Sequence, residues 1–409
     1  MTTGDGREVD VVVVGGGLAG AAMAIRVARQ GLAVDVVEQS SGWRWHACGV
    51  FASAATAREL RSLGMAEDVL ESVARPVPAM RVETPRGAVL RLCYGASGEG
   101  AAGAFGFDRR HLDRALLDLA SAAGARVVSG HRIVDVEPSD GRDPGVVRAL
   151  GPSGPMTIRT RLIVGADGIR SVVARSVGAA RAARLGRRVG LSWHIDDPSG
   201  DRAHDARMVV LDGAYCGLAP VPGGRLNVGI VLSGRGRLAD LAARGAAAVG
   251  AEILAQAFRD DGTWPSDHAP LTRDAITGAF PLGHRVVRRA GQGWMLIGDA
   301  AGFLDPFTGE GLHRALVSAR LAARTVSEAS EPGANPAAYD RAMRSRFAAK
   351  DTVSLLVQAF LARPALFEYA ARRLARRERV RETLGLVLAD LAPATRALDP
   401  RFVAAMLAP

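Results

Sequence analysis

The stretch from Val9 to Glu38 constrains this chain more than any other. An apolar run, Val9 and Val11 to Val14, has the pattern of a buried parallel strand. It breaks into glycines and resumes as an alanine-rich helical pattern. Gly15, Gly17 and Gly20 spell G-x-G-x-x-G where strand meets helix. The first glycine allows a tight turn, the second lets the backbone approach a pyrophosphate, and the third lets helix pack on strand. Leu18 and Ala19 sit on the helix start, where unpaired N–H groups and the positive end of the dipole face the phosphates. A second apolar run, Leu32 to Val37, ends on Glu38 with Gln39 beside it. Glu38 lies eighteen positions beyond Gly20, where a carboxylate can bind ribose hydroxyls. Six residues with three glycines are weak evidence alone; strand, helix, second strand and acid in register predict a dinucleotide site. FAD and NAD(P) both satisfy it.

At 409 residues the chain is too long for one simple core, and it predicts two domains with an appendage. Hydrophobic content of 48% and charged content of 23% are those of a soluble globular protein. Cys48, Cys93 and Cys216 are scattered and odd in number, which fits a reducing cytoplasm and neither a disulfide framework nor a metal cluster. The polar start is no signal peptide, and the longest apolar run, Val11 to Ile25, is too short and too glycine-split for stable membrane insertion. The net charge of +10 comes almost wholly from arginine, since Lys350 is the one lysine among 52 basic residues. The arginines are scattered, richer between Arg341 and Arg381, with no aromatic interleaving. The reading is a solvated basic face and no nucleic-acid partner.

The expected fold is α/β: a Rossmann-like FAD-binding domain, a sheet-rich substrate domain and a helical C-terminal region. The first is discontinuous (residues 1–75, 104–180 and 285–345), the second covers 76–103 and 181–284, and the third 346–409. Alternating runs predict strands at Val189–Ile195, Arg207–Leu211, Gly217–Val221 and Leu226–Leu232, with one helix over Leu238–Phe258 and Tyr215 and Cys216 near a sheet edge. A glycine-rich loop is expected over Gly95–Gly106. The apolar faces around Leu355, Leu356, Phe360, Leu361, Leu366 and Phe367 are expected to pack on the domains.

Two further stretches repeat the strand-turn-helix pattern. Arg161 to Gly178 carries Asp167-Gly168, and Gly293 to Ala323 carries Gly298-Asp299 followed by a proline loop. In this order the three turns resemble the FAD-dependent oxidoreductases of the p-hydroxybenzoate hydroxylase-like superfamily. The resemblance implies that Gly15, Gly17 and Gly20 hold the pyrophosphate of FAD and Glu38 the adenosine ribose. It further implies that Asp299 binds the ribityl or pyrophosphate side, and that Asp167 and Gly168 lie between FAD and the route of NAD(P)H. Arg109, in the run Asp108–Asp113, is similar to the arginine that reaches the phosphates, and Ile133 to the position whose backbone meets adenine.

Within that superfamily the chain is most similar to the geranylgeranyl reductases. Asp305-Pro306-Phe307-Thr308-Gly309-Glu310-Gly311 resembles their D-P-x-T-G-E-G loop, and Cys48-Gly49 their C-G pair. The N–H groups at Gly309 and Gly311, before a helix carrying Leu312, would face the flavin pyrimidine edge and stabilise its reduced anion. The plainer reading is a helix cap with Thr308 as N-cap. The residues flanking Cys48-Gly49 depart from that family: Trp45-His46-Ala47 before it and Val50-Phe51 after. Trp43-Arg44-Trp45 is similar to the tryptophan pair of flavin-dependent halogenases, but no Ile-Pro follows and Lys350 lies far along the chain, so halogenation is not expected. Cys48 as a proton donor, His46 as a cavity neighbour and His194 on a strand are the catalytic candidates.

The implied activity is oxidation–reduction of a hydrophobic small molecule by FAD, with NAD(P)H as reductant. The altered segment around Cys48 tips the reading narrowly to an O2-dependent monooxygenase that hydroxylates or epoxidises an aromatic or polyketide-like substrate in secondary metabolism. The alternative is reduction of C=C bonds in a prenyl or polyene chain. A non-catalytic basic binding protein is the alternative of another class, and the oligomeric state is left open.

Overall fold

A computed structural model describes residues 7–42, 45, 49–95, 103–183, 185–259, 271–329 and 335–407. Its first sheet is built around five parallel strands in the order Trp294–Leu296, Gly154–Gly165, Arg7–Val14, Val34–Val37 and Arg126–Val128. Val11, Val12 and Val13 are wholly buried because helices cover both faces of such a sheet. The strand Gly154–Gly165 shows the change of environment along its own length. Its first half alternates exposed and buried residues and pairs antiparallel with Gly145–Gly151, whereas Leu162–Gly165 is buried throughout and pairs in parallel. The helix Leu18–Ala28 follows the first strand and packs on the helix Gly311–Ser327, so the beginning of the chain and its last quarter share one core.

The second sheet has seven strands, in the order Thr277–Ala279, Arg188–Asp196, Arg225–Ser233, Ala214–Val221, Ala206–Leu211, Ala79–Glu83 and Val89–Cys93. Successive side chains enter different cores, as a period of two requires. Cys216, Ile230 and Leu232 pack under the helix Arg235–Ala257, while Tyr215 and Val231 join the core beneath the C-terminal helices. Tyr215 and Cys216 therefore lie on a central strand and not near the sheet edge as expected, because strand order is set by non-local pairing. The helix expected over Leu238–Phe258 begins earlier, at Arg235, and is interrupted at Gly245, whose φ of 82° is left-handed. The expected loop ending at Gly106 gives way to a strand, Ala104–Phe107, held between Phe51–Ser53 and Ala74–Val77.

Past Asn335 the chain is helical: Pro336–Leu361, Pro364–Arg376, Glu378–Leu388, Thr395–Leu398 and Pro400–Leu407. Pro336 and Pro364 open their helices, where a missing N–H costs nothing. Leu361, Phe367 and Leu374 pack against the second sheet, whereas Leu356 and Leu366 stay exposed, contrary to the expectation that this apolar set is covered. The helix Glu378–Leu388 approaches the strand Val89–Cys93 through Gly385, where a Cβ would collide with the Cys93 carbonyl oxygen. Gly385→Ala should cost about 1–3 kcal/mol, read as a lower denaturation midpoint. An unchanged midpoint would mean that this helix does not rest on the sheet.

Candidate functional site

The ends of the parallel strands form one row. Val14 is in register with Val37 and with Gly165, and Gly165 with Leu296, so the turns that follow all emerge at the same edge. The first turn explains its glycines. Gly15 has φ of 101°, and a Cβ there would sit 2.6 Å from the Ala166 carbonyl oxygen. A Cβ on Gly20 would collide with the carbonyl oxygen of Gly15, whereas one on Gly17 would meet nothing within 4 Å. Two of the three glycines are thus required by packing, and the middle one by nothing in the protein itself. The Glu38 carboxylate accepts from the Gly16 amide at 2.7 Å and the Ser40 amide at 2.8 Å, which fixes it beside the turn. Gln39 follows it on the same segment.

The second and third turns close on the first. Asp167 accepts from the Val172 amide at 2.6 Å through one oxygen, while its other oxygen is buried without a partner. Burial pushes its carboxyl above the usual range against these hydrogen bonds. Gly168 has φ of 73° and faces open space. A Cβ on Gly298 would lie 2.8 Å from that of Ala19, so the third turn rests on the first turn of the fingerprint helix. Burial pushes Asp299 up to about 6, opposed by the charges of Arg109 and Arg314. Arg109 follows the N-cap Asp108 and donates to Asp113 and, at 3.2 Å, to the Gly49 carbonyl.

The proline loop joins this edge to the second sheet. Asp305 is buried and pairs with Arg188, accepts from Tyr215 Oη at 2.8 Å and Gln358 Nε2 at 2.7 Å, and receives the Phe307 amide. Burial raises its carboxyl, and the Arg188 charge opposes the rise. Arg188, Tyr215 and Gln358 lie 117, 90 and 53 positions from Asp305, so no local pattern could have joined them. Pro306 accepts from the Gly309 amide at 3.0 Å, closing the loop. Gly309 has φ of 67°, and a Cβ there would press on the Phe51 ring at 2.9 Å, while Gly311 faces open space. The N-cap position belongs to Glu310, not to Thr308, whose hydroxyl is buried without a partner. Leu312, in the first turn of this helix, lies 3.8 Å from where a Gly49 Cβ would be.

The remaining candidates make contacts of their own. Ile133 is buried in the strand Arg132–Glu137, paired with Ala149. His194 lies against Trp45 with ring centroids 3.8 Å apart and the rings tilted by 42°, and accepts from Asn227 Nδ2 at 3.2 Å. Burial and the nearby Arg225 push its imidazole down to about 4, against the pull of Asp108, so it is neutral at physiological pH. His46 and Cys48 lie outside the described residues. Among the described residues no group of three or more His, Cys, Asp or Glu could hold a metal ion, and no helix is long and apolar enough to cross a membrane.

The unpartnered Asp167 oxygen, the unpartnered Thr308 hydroxyl and the open faces of Gly17, Gly168 and Gly311 suit an elongated polar ligand laid along the strand ends. Residues 8–210 match the family model described as an FAD binding domain. The chain is 30% identical over 333 residues to the menaquinone reductase of Mycolicibacterium smegmatis, covering 78% of this chain and 76% of that protein. The chain belongs to the FAD-dependent oxidoreductases. It is also 28% identical over 350 residues to digeranylgeranylglycerophospholipid reductase 2 of Methanopyrus kandleri, covering 83% and 82% of the two chains. A solved geranylgeranyl bacteriochlorophyll reductase-like structure from Thermoplasma acidophilum superposes with a TM-score of 0.74 at 21% identity over 98% of each chain, a likeness of fold. This flavoenzyme fold therefore comes with relatives named as reductases.

Two variants separate packing from ligand contact. Gly20→Ala should lower the melting temperature of the flavin-free protein, whereas Gly17→Ala should leave it unchanged and weaken FAD binding at least tenfold in a fluorescence titration. Equal effects of the two on stability would contradict the assignment. Asp299 gives a signed pH dependence. Its carboxyl titrates near 3.8 unfolded and about 6 folded. The unfolded chain thus loses its proton first as pH rises through this window, and stability falls by on the order of 1–3 kcal/mol. Flavin-free Asp299→Asn should escape that loss, melting higher than the parent at pH 7 but not at pH 3.5. A parallel pair of melting curves across this range would overturn it.

Proposed function

We propose that this chain uses NAD(P)H to reduce its FAD and then saturates a C=C bond of a hydrophobic, polyprenyl-like substrate. What supports the reading is the D-P-x-T-G-E-G loop beside an apolar wall: Phe51, Ile169, Phe303 and Phe307 come from three segments and pack on the core of the second sheet. Phe51 lies 5.4 Å from the Tyr94 ring and Tyr215 5.2 Å from Phe307. Both relatives are named for substrates that carry isoprenoid chains, and such a chain calls for an apolar wall at the domain interface.

Gly15, Gly17, Leu18, Ala19 and Gly20 would hold the pyrophosphate, Glu38 and Gln39 the adenosine ribose, and the Ile133 segment the adenine. Arg109 and Asp299 would serve the phosphate and ribityl portion. Gly49, Pro306, Gly309, Gly311 and Leu312 would border the isoalloxazine, and Asp167 with Gly168 the approach of NAD(P)H. Bound FAD supplies two-electron chemistry at the domain interface. The protein contributes position through the Asp305 quartet, exclusion of water through the aromatic wall, and a positive field from the start of the helix Gly311–Ser327. Neutral His194, held by Trp45 and Asn227, serves better as a wall of the pocket than as an acid.

Oxygenation is the second reading. Trp45 stands where the reductase family has other residues, and its ring lies under Arg225 and on His194, giving that side of the pocket a character of its own. The reductase reading is preferred here because it rests on relatives at 28–30% identity, whereas more remote likenesses speak only to fold.

Anaerobic mixing of the NAD(P)H-reduced enzyme with a polyprenyl quinone or polyprenyl lipid should reoxidise the flavin and give a product whose prenyl chain, after any quinol is reoxidised, is heavier by two hydrogens. Turnover that requires oxygen and yields a product bearing an added oxygen atom would replace this reading with the second.

A further inference from the structure

Lys350 is the one lysine in a chain whose other 51 basic residues are arginine. It sits on the helix Pro336–Leu361 with only 1% of its surface exposed. Although forty positions beyond the proline loop, it lies against it. Its ammonium donates to the Val387 and Leu388 carbonyls at 2.7 and 2.9 Å and pairs with Asp390 at 3.4 Å and Glu310 at 3.9 Å. Those carbonyls end the helix Glu378–Leu388, where backbone acceptors have no partner in their own helix and the dipole is negative. A point charge with three donors serves this convergence of oxygens, and the planar fork of arginine does not.

Two residues at the start of the helix Gly311–Ser327 enter the same cluster. Glu310, its N-cap, accepts from Ser354 Oγ at 3.0 Å, and Ser354 stands one turn beyond Lys350 on the same helix face. His313 lies 3.0 Å from Asp390, which also meets Arg346 at 3.3 Å. Burial raises the Asp390 carboxyl, but the His313 hydrogen bond and the Lys350 and Arg346 charges outweigh it and hold it well below the usual range. The loop ending at Glu310 is thus anchored from below, with its buried Thr308 hydroxyl unpartnered.

An anionic Glu310 at a helix N-terminus adds negative charge at the end where the dipole is positive. Left uncompensated, it would work against any anion placed there. We propose that Lys350 is a positioning residue: by pairing with Glu310 and clamping the end of the helix Glu378–Leu388, it fixes the Thr308–Gly311 loop and preserves the positive field that stabilises the reduced flavin. This rests on the placement of the flavin at that loop given under the proposed function.

The test is the two-electron midpoint potential of the flavin bound to the full-length protein, measured by dye equilibration together with FAD affinity and melting temperature. Lys350→Met should lower the potential by about 30 mV or more, a tenfold shift in the reduction equilibrium. Adding Glu310→Gln to Lys350→Met should return most of that shift, because the carboxylate that has lost its ammonium partner is its source. If Lys350→Met does not fold, Lys350→Gln, which removes the charge but keeps an N–H donor for the Val387 carbonyl, takes its place with the same expected fall in potential and the same reversal by Glu310→Gln. A loss of stability with the potential unchanged, or a shift that Glu310→Gln does not reverse, would reduce Lys350 to a structural cap. A parent protein that binds no FAD would instead defeat the placement on which the proposal rests.

Discussion

Val14, Val37, Gly165 and Leu296 lie abreast because their strands run parallel and share one register. That alignment carries Gly15, Glu38, Ala166 and Ile297 out of the sheet at a single edge. Each of the following turns must then reverse direction in a crowded space. Gly15 and Gly20 let the first turn lie against Ala166 and the fingerprint helix against the turn itself, and Gly298 lets the third rest on Ala19. A side chain at Gly15, Gly20 or Gly298 would separate turns that a dinucleotide has to touch together. The site is a consequence of strand register, with glycine as the residue that permits it.

The second sheet and the C-terminal helices are joined to this edge by buried charge. Asp305 meets Arg188, Tyr215 and Gln358 from three different segments, and Glu310 meets Lys350 and Ser354. Groups of this kind gain little net stability over apolar packing but are costly to separate, so they select one arrangement of the loop over its neighbours. The proline loop is consequently held on one side by the second sheet and on the other by the C-terminal helices.

The parts of this site visible in sequence are those where local chemistry leaves no choice. A left-handed turn or a backbone collision demands glycine whatever the distant chain does, which is why Gly15, Gly20 and Gly298 could be found from spacing and turn patterns, whereas Gly309 stood out through the likeness of its loop to D-P-x-T-G-E-G. Glu38, Asp167 and Asp299 were legible because each stands at the tip of an apolar strand. Strand order was not legible, so Tyr215 was expected at an edge and lies in the middle of the sheet. The Asp305 quartet and the Lys350 cluster were hidden for the same reason, since their members meet only after folding. One signal for the latter did exist: a single lysine in an arginine-only chain, four residues before a serine on a helix. Chain distance concealed its meaning.

The central claim is that three separated turns converge on one FAD. The most direct measurement is the flavin released by acid from purified protein, quantified against chain concentration after incubation with excess FAD and removal of the unbound fraction. The account predicts one FAD per chain. A colourless protein that takes up no flavin under these conditions would contradict it.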